Sequence, residues 1–273
     1  MGTDSVRSGF RLKPTAAVVV GAGPGLGRSC ALTLARSGAE VFCVDIDREC
    51  ATSVAEEIRG VGGAAFPFSG DMVVRADVDR MVSEAVAALG RIDACIDVVG
   101  WSFRDDIRTM DDETWDRNFA LNLRHSFYIT QIVGRQMIDS RTRGSIVHVS
   151  SVSSLGGHAG NSGYAAAKAA LNSLVRTASV EYGPHGVRVN AVAPGTIDTP
   201  RLHTPATEER RKALGRSVPL GGQGVPQDIA NLAIFLASDL AGYISGQVIV
   251  VDGAVSNVFP LIDGVTWRPA GES

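Results

Sequence analysis

In the stretch NSGYAAAKAALNSLV, Tyr164 and Lys168 stand four residues apart, and on a helix that spacing stacks a phenol and an ammonium on one face. The pair could do proton chemistry. A tyrosine with an ordinary pKa near 10 is a poor base at neutral pH, and lowering it by about three units takes roughly 4 kcal/mol. An ammonium at about 4 Å, in an effective dielectric of about 20, supplies approximately that. The same stretch also reads as an alanine-rich helix with a packed Tyr and a Lys whose stem lies along apolar surface. What decides between them is the rest of the chain.

A second candidate group lies in VVVGAGPGLGRS. Gly21, Gly23, Gly25 and Gly27, with Leu26 before the last, sit between a strand-like run and a helix-like run. A glycine turn there lets the backbone approach a pyrophosphate, and the helix N-terminus adds partial positive charge; the other reading is a tight turn that needs positive φ. Asp45 ends the next apolar run, where an acid can accept hydrogen bonds from both ribose hydroxyls of an adenosine. A carboxylate at that point repels the 2′-phosphate of NADP by about a kcal/mol or more. NAD is therefore the expected cofactor, although Arg48, three residues on, could meet a phosphate. Asp71 in SGDMV, with Met72 after it, is placed either at the adenine edge or as a helix cap or loop charge.

These groups need a frame to hold them. Strand-like runs at 16–20, 41–45, 64–68, 93–99, 145–150, 187–193 and 247–251 alternate with helical periodicity at 25–37, 48–59, 75–89, 113–139, 162–182 and 226–238. Near-continuous apolar strands joined by helices imply an α/β fold, a parallel sheet covered on both faces. No composition break divides the chain, so one domain is expected over 14–255, flanked by an N-terminal arm (1–13) and a C-terminal tail (256–273). The segment 199–225, rich in Pro, Gly and charge, reads as a lid.

Composition narrows the class. Of the 273 residues, 45% are hydrophobic and 20% charged, close to the globular average. The net charge of -3 and scattered basic residues argue against nucleic acid. Cys30, Cys43, Cys50 and Cys95 form no CxxC pair and have no His at ligand spacing, which argues against zinc and suits free thiols in a reducing compartment. The first thirteen residues lack the apolar core of a signal peptide and no run is long enough to span a membrane, so the cytoplasm is the expected location.

Taken in order, the GxxxGxG turn (Gly21, Gly25, Gly27), ALNL with Asn122, SIVHVSS with Ser151, YAAAK with Tyr164 and Lys168, and APGTIDT from Ala193 resemble the short-chain dehydrogenase/reductase family over about 16–252. The resemblance implies a single Rossmann domain, doubly wound, with seven parallel strands ordered 3-2-1-4-5-6-7. It implies Tyr164 as general acid/base, Lys168 as its activator and a ribose ligand, Ser151 as partner of the substrate oxygen, and Asn122 as a relay residue. Ser150 and Ser151 are adjacent and either could cap a turn; the family spacing to the tyrosine selects Ser151. Asn122 falls inside an apolar helix, where a buried amide must be satisfied, and a relay water is the expected partner.

The resemblance also places Gly100 against the cofactor, and Pro194, Gly195, the Ile197 backbone and the Thr199 hydroxyl at the nicotinamide. The reaction implied is NAD(H)-dependent interconversion of a secondary alcohol and a ketone. A 3-oxoacyl thioester reductase is the alternative within the same chemistry, and an inactive nucleotide sensor or scaffold the alternative outside it. A homotetramer with helices 113–139 and 162–182 at its contacts is the family's usual assembly. Trp101, Phe103, Ser153, His158, Leu202 and His203 are the candidate pocket for a ring or an alkyl chain. Arg104 could recognise a carboxylate or carrier phosphate, or simply lie exposed on its loop. One departure stands out: DVVG (Asp97 to Gly100) replaces the family's NNAG. Asp97 has no amide donors and must be solvated or find donors of its own.

Overall fold

The computed structural model describes residues 16–200 and 217–258. Seven strands, β1 (Ala16–Val20), β2 (Glu40–Asp45), β3 (Ala65–Ser69), β4 (Ala94–Asp97), β5 (Ser145–Val149), β6 (Arg188–Pro194) and β7 (Val248–Val251), form one parallel sheet ordered 3-2-1-4-5-6-7. β1, β4 and β5 are buried along their whole length, as continuous apolar strands covered on both faces must be. Helices α1 (Leu26–Arg36), α2 (Arg48–Gly60) and α7 (Pro226–Ala237) pack on one face. On the other lie α3 (Arg75–Leu89), α5 (His125–Asp139) and α6 (Ser162–Tyr182), with α4 (Asp112–Phe119) leading into α5.

The expected elements are present, with two local differences. The run 93–99 leaves the sheet after Asp97: Val98 N–H still donates to the Val20 carbonyl, but Val99 N–H turns to the Asp97 Oδ1, 3.2 Å away. The expected single helix at 113–139 is instead α4 and α5 joined by one π-helical turn, Ala120–Arg124. That wider turn loosens the backbone ladder around Asn118, and the Asn122 amide takes the Asn118 carbonyl at 2.9 Å.

Strand register carries the site. Val20 pairs with Asp97, Asp97 with His148, and Val149 with Val192, so the C-terminal ends of β1, β4, β5 and β6 finish side by side. In an open parallel sheet, that edge, where strand order reverses at β1 and β4, is where a crevice forms. Cys30, Cys43 and Cys95 are buried free thiols, while Cys50 is partly exposed. Burial pushes Cys30 and Cys43 up to about 12, which keeps them protonated and unreactive. No helix among the described residues is long and apolar enough to cross a membrane.

Candidate active site

The glycine turn between β1 and α1 is shaped by contacts that leave no room for side chains. A Cβ on Gly27 would lie 1.8 Å from the Gly21 carbonyl oxygen, so α1 can start this close to β1 only with glycine there. Gly25, at the N-cap of α1, has φ of 113° and brings no side-chain cap to the helix. The first N–H groups of α1 are thus left free of a side-chain acceptor at the turn, as an anion site requires. Asp45, at the end of β2, accepts from Gly23 N–H at 2.9 Å and Asp47 N–H at 3.0 Å. Each carboxylate oxygen keeps lone-pair capacity for a hydroxyl donor.

Above this edge opens a cavity of about 360 Å³. Gly21, Gly23, Gly25, Leu26, Gly27, Asp45, Asp71, Met72, Gly100, Trp101 and Thr199 line it. Asp71 is not a helix cap: Val74 holds that position on α3, and the Asp71 Oδ1 accepts from Val73 N–H within its own loop. Pro194, Gly195 and Ile197 do not line the cavity. Gly195 packs on Asp252, and the Ile197 side chain is buried in the core of the opposite wall. The free glycine cradle and the available Asp45 lone pairs fit a dinucleotide, with the pyrophosphate at the turn and a ribose at Asp45.

Tyr164 and Lys168 rise from the first turns of α6, and Ser151 sits just past β5. The Ser151 Oγ accepts from Ser153 N–H at 3.1 Å and lies near enough to the Tyr164 phenol to favour its ionised form. Ser150 is set apart from this pair: its hydroxyl is buried and donates to the Asn172 Oδ1 at 2.6 Å. The two adjacent serines therefore face different ways. Lys168 is 2% exposed; its Nζ donates to the Val149 carbonyl at 2.7 Å and lies 5.8 Å from the Tyr164 ring centroid. Gly100 makes room for this arrangement, since a Cβ there would lie 2.9 Å from the Asn122 Oδ1 and 3.1 Å from the Lys168 Nζ.

The expected lowering of the Tyr164 pKa by a nearby ammonium is not met. Burial raises Tyr164 above its ordinary value, and the Ser151 hydrogen bond is what opposes the rise. Burial likewise lowers Lys168, to about 8, while the charge of Asp97 opposes that fall. The reason is common to both: each loses solvation in the interior, and the lysine points along β5 to a carbonyl rather than at the phenol oxygen.

Asn122 needs no relay water. Its Oδ1 accepts from Trp101 N–H at 3.1 Å, and its Nδ2 donates to the Trp101 carbonyl at 2.8 Å as well as to Asn118. One turn earlier Asn118, fully buried, does the same to Phe103, accepting from its N–H at 3.2 Å and donating to its carbonyl at 2.9 Å. Two amides at helical spacing thus hold the 101–103 loop as a strand partner would. Asn118 was not singled out from the sequence, although its spacing of four from Asn122 is the signal.

The candidate pocket residues divide. Trp101 lines the cavity, but Phe103 lies beneath the Arg117 guanidinium, 4.2 Å from its ring centroid, and does not. Ser153 Oγ lies 2.9 Å from His158 Nδ1, and His158 Nε2 lies 2.8 Å from Arg104 Nη2. His158 and Arg104 are exposed together on neighbouring loops. Leu202 and His203, most of the lid, the N-terminal arm and all but the first three residues of the tail lie outside the described residues.

Asp97 resolves its lack of donors by taking donors from α5 and β5. It is 2% exposed, and its carboxylate faces His125 Nε2 at 3.1 Å, Ser126 Oγ at 3.1 Å and His148 Nδ1 at 2.8 Å. Burial works to raise its pKa, but His125 and His148 outweigh it and hold the group below the ordinary carboxylate value. Neither histidine was singled out from the sequence. A polar residue inside the apolar run SIVHVS was the available sign.

Residues 21–256 match the family model described as Enoyl-(Acyl carrier protein) reductase. The chain is 37% identical over 246 residues to the 3-oxoacyl-[acyl-carrier-protein] reductase of Thermotoga maritima, covering 90% of this chain and 99% of that one. It is 35% identical over 256 residues to the (3R)-3-hydroxyacyl-CoA dehydrogenase of Canis lupus familiaris, covering 91% and 98%. A solved 7α-hydroxysteroid dehydrogenase, complexed with NADH and 7-oxo glycochenodeoxycholic acid, superposes with a TM-score of 0.83 at 32% identity, over 89% of this chain and 94% of its own. With the glycine turn, the Asp45 edge and the sheet order in place, the chain belongs to the short-chain dehydrogenase/reductase family and is an oxidoreductase that works with a nicotinamide cofactor.

Proposed function

We propose that the enzyme uses NAD(H) rather than NADP(H) to interconvert a secondary alcohol and a ketone, with Tyr164 exchanging the proton of the reacting oxygen. The observation that carries this reading is the convergence of Ser151 and Lys168 on Tyr164 at the β5 edge, with the Lys168 Nζ 5.8 Å from the Tyr164 ring centroid. When bound, the cofactor accepts or supplies the hydride. Tyr164, raised by burial, is a phenol at neutral pH and gives its proton to the developing alkoxide during reduction. Ser151 holds the same oxygen by a hydrogen bond. Lys168, as an ammonium, balances negative charge on the phenol oxygen while the proton is away, and with Asp45 it is placed to hold ribose hydroxyls. Asn122 fixes the Trp101 backbone, and with it one wall of the cavity.

The preference for NAD rests on Asp45, whose carboxylate sits where an adenosine 2′-phosphate would have to go. A second reading, a 3-oxoacyl thioester as substrate, is favoured by the exposed Arg104 beside His158, a cationic group suited to a carrier phosphate. The names of the two acyl-thioester relatives support it too. NADH absorbance with a panel of ketones and 3-oxoacyl thioesters tests both; full turnover by Tyr164→Phe would sink the mechanism. The same proposal includes a cytoplasmic location, supported by the buried free thiols, and a homotetramer joined through the α4–α5 and α6 faces. Trp115, Phe127 and Val180 leave apolar area exposed on these helices.

A further inference from the structure

Behind the active site lies an ionisable cluster that the reaction as described does not use. Asp97 ends β4 at the centre of the sheet, three residues before the Gly100 that packs on the Lys168 Nζ. Its neighbours come from every element packed against it. His148 is its register partner on β5, and His125 and Ser126 approach from the start of α5. Cys95, on β4 itself, is raised by burial and then by the Asp97 charge. From α6 the charged group is Lys168, which feels the same carboxylate.

Proton counting shows how the carboxylate is held. The Thr130 Oγ1 lies 2.7 Å from the Ser126 carbonyl and 2.8 Å from the His148 Nε2, and a His148 ring with its hydrogen on Nδ1 accepts from that hydroxyl at Nε2. The His148 Nδ1 faces the carboxylate at 2.8 Å. With its hydrogen on Nδ1, His148 donates to the carboxylate without cancelling its charge. His125 turns its Nε2 to Asp97 and the Ser126 hydroxyl, and its Nδ1 is buried without a hydrogen-bond partner among the described residues. Three side chains thus converge on one buried carboxylate, each with a hydrogen to give, and a carboxylate so gripped stays ionised.

A buried anion is costly unless hydrogen bonds and an opposite charge nearby offset its lost solvation. Lys168 supplies such a charge: it is buried, cationic in its working form, and among the described residues bonded to the carbonyl of Val149, the residue after Asp97's register partner His148. We propose that Asp97 is a positioning residue that acts on Tyr164 through Lys168: its buried carboxylate, gripped by His125, Ser126 and His148, supplies the negative charge that keeps the Lys168 amine an ammonium. This proposal rests on the acid/base reading of Tyr164 given above. His125 and His148 hold the anion and do not touch the reacting atoms.

Asp97→Asn tests it with little disturbance of packing. The amide can accept from His125 and donate to the His148 Nδ1, with the His148 hydrogen moved to Nε2, where it meets Thr130. In enzyme labelled with [ε-13C]lysine, the resonance lost in Lys168→Met reports the charge of Lys168 without turnover. Its titration midpoint, about 8 in the native chain, is expected to fall by about one unit in Asp97→Asn, a tenfold fall in the ammonium-to-amine ratio at a given pH. The alkaline limb of the ketone-reduction profile should move to lower pH with it. If the single variant does not fold, the amide pair Asp97→Asn/His148→Asn takes its place, with a fall of the same sign expected. An unmoved midpoint in a folded variant overturns the proposal and leaves the cluster as packing. A midpoint that falls while the rate profile stays overturns the link from Lys168 to Tyr164. Failure of the underlying reading is seen separately, as turnover retained by Tyr164→Phe.

Discussion

Tyr164 and Lys168 face opposite costs from the same burial: the phenol resists ionising and the ammonium resists staying charged. Their protons are coupled, so rate profiles report the pair rather than either residue. The sign is still clear. Lys168 supports chemistry as an ammonium, which persists below about 8 and is lost above it, so ketone reduction should hold through neutral pH and fall as the pH rises through about 8. Initial rates from pH 6 to 10 check this. Replacing Tyr164 by Phe removes the proton donor and keeps the ring, and turnover should drop by about 10² to 10⁴ while NADH binding, read by fluorescence, persists. At Asp45, exchange for Ala removes the carboxylate that faces the ribose edge. The ratio of kcat/KM for NADPH over NADH should rise about fivefold or more; an unchanged ratio would place cofactor choice elsewhere.

Among the elements, the 101–103 loop and the interrupted helix depend on each other. Asn118 and Asn122 each spend an acceptor and two donors on backbone groups, mostly of that loop, and the π turn between α4 and α5 gives Asn122 the reach to do so. Substituting Asn118 by Ala leaves the half-buried Phe103 carbonyl and N–H without these partners. A loss of about 1–3 kcal/mol in unfolding free energy is expected, with KM for the ketone rising because the loop that carries Trp101 loses one of its two amide anchors. Urea unfolding and steady-state kinetics read the two effects. Such an interruption was not legible in the sequence, since DRNFALNLRHSFYITQ keeps helical periodicity throughout. Only the tertiary demand of the loop for hydrogen bonds makes the wider turn worthwhile.

For the whole molecule, one sheet edge brings together the candidate site residues Asp45, Ser151, Tyr164 and Lys168, and the helices on the side of α4, α5 and α6 carry the exposed apolar residues Trp115, Phe127 and Val180. If these faces join subunits, light scattering should give four times the chain mass, and Phe127→Glu should yield smaller species. Much of this architecture was readable beforehand. Local pattern specifies it: continuous apolar strands, helical crossovers, a glycine turn that tolerates no side chain at Gly27, and an acid at the end of β2. Those features depend on neighbours close in sequence, and so did the Tyr164–Lys168 stacking on one helical turn. What tertiary structure decided was who meets whom across the sheet. Ser150 turns to Asn172 and Ser151 to Tyr164, although the two are adjacent. Phe103 pairs with Arg117 and leaves the cavity wall to Trp101. Asp97, a missing amide when read along the chain, becomes a carboxylate held by two histidines because β4, β5 and α5 bring residues 97, 125 and 148 together. Burial then sets the proton affinities, and burial is a property of the folded whole.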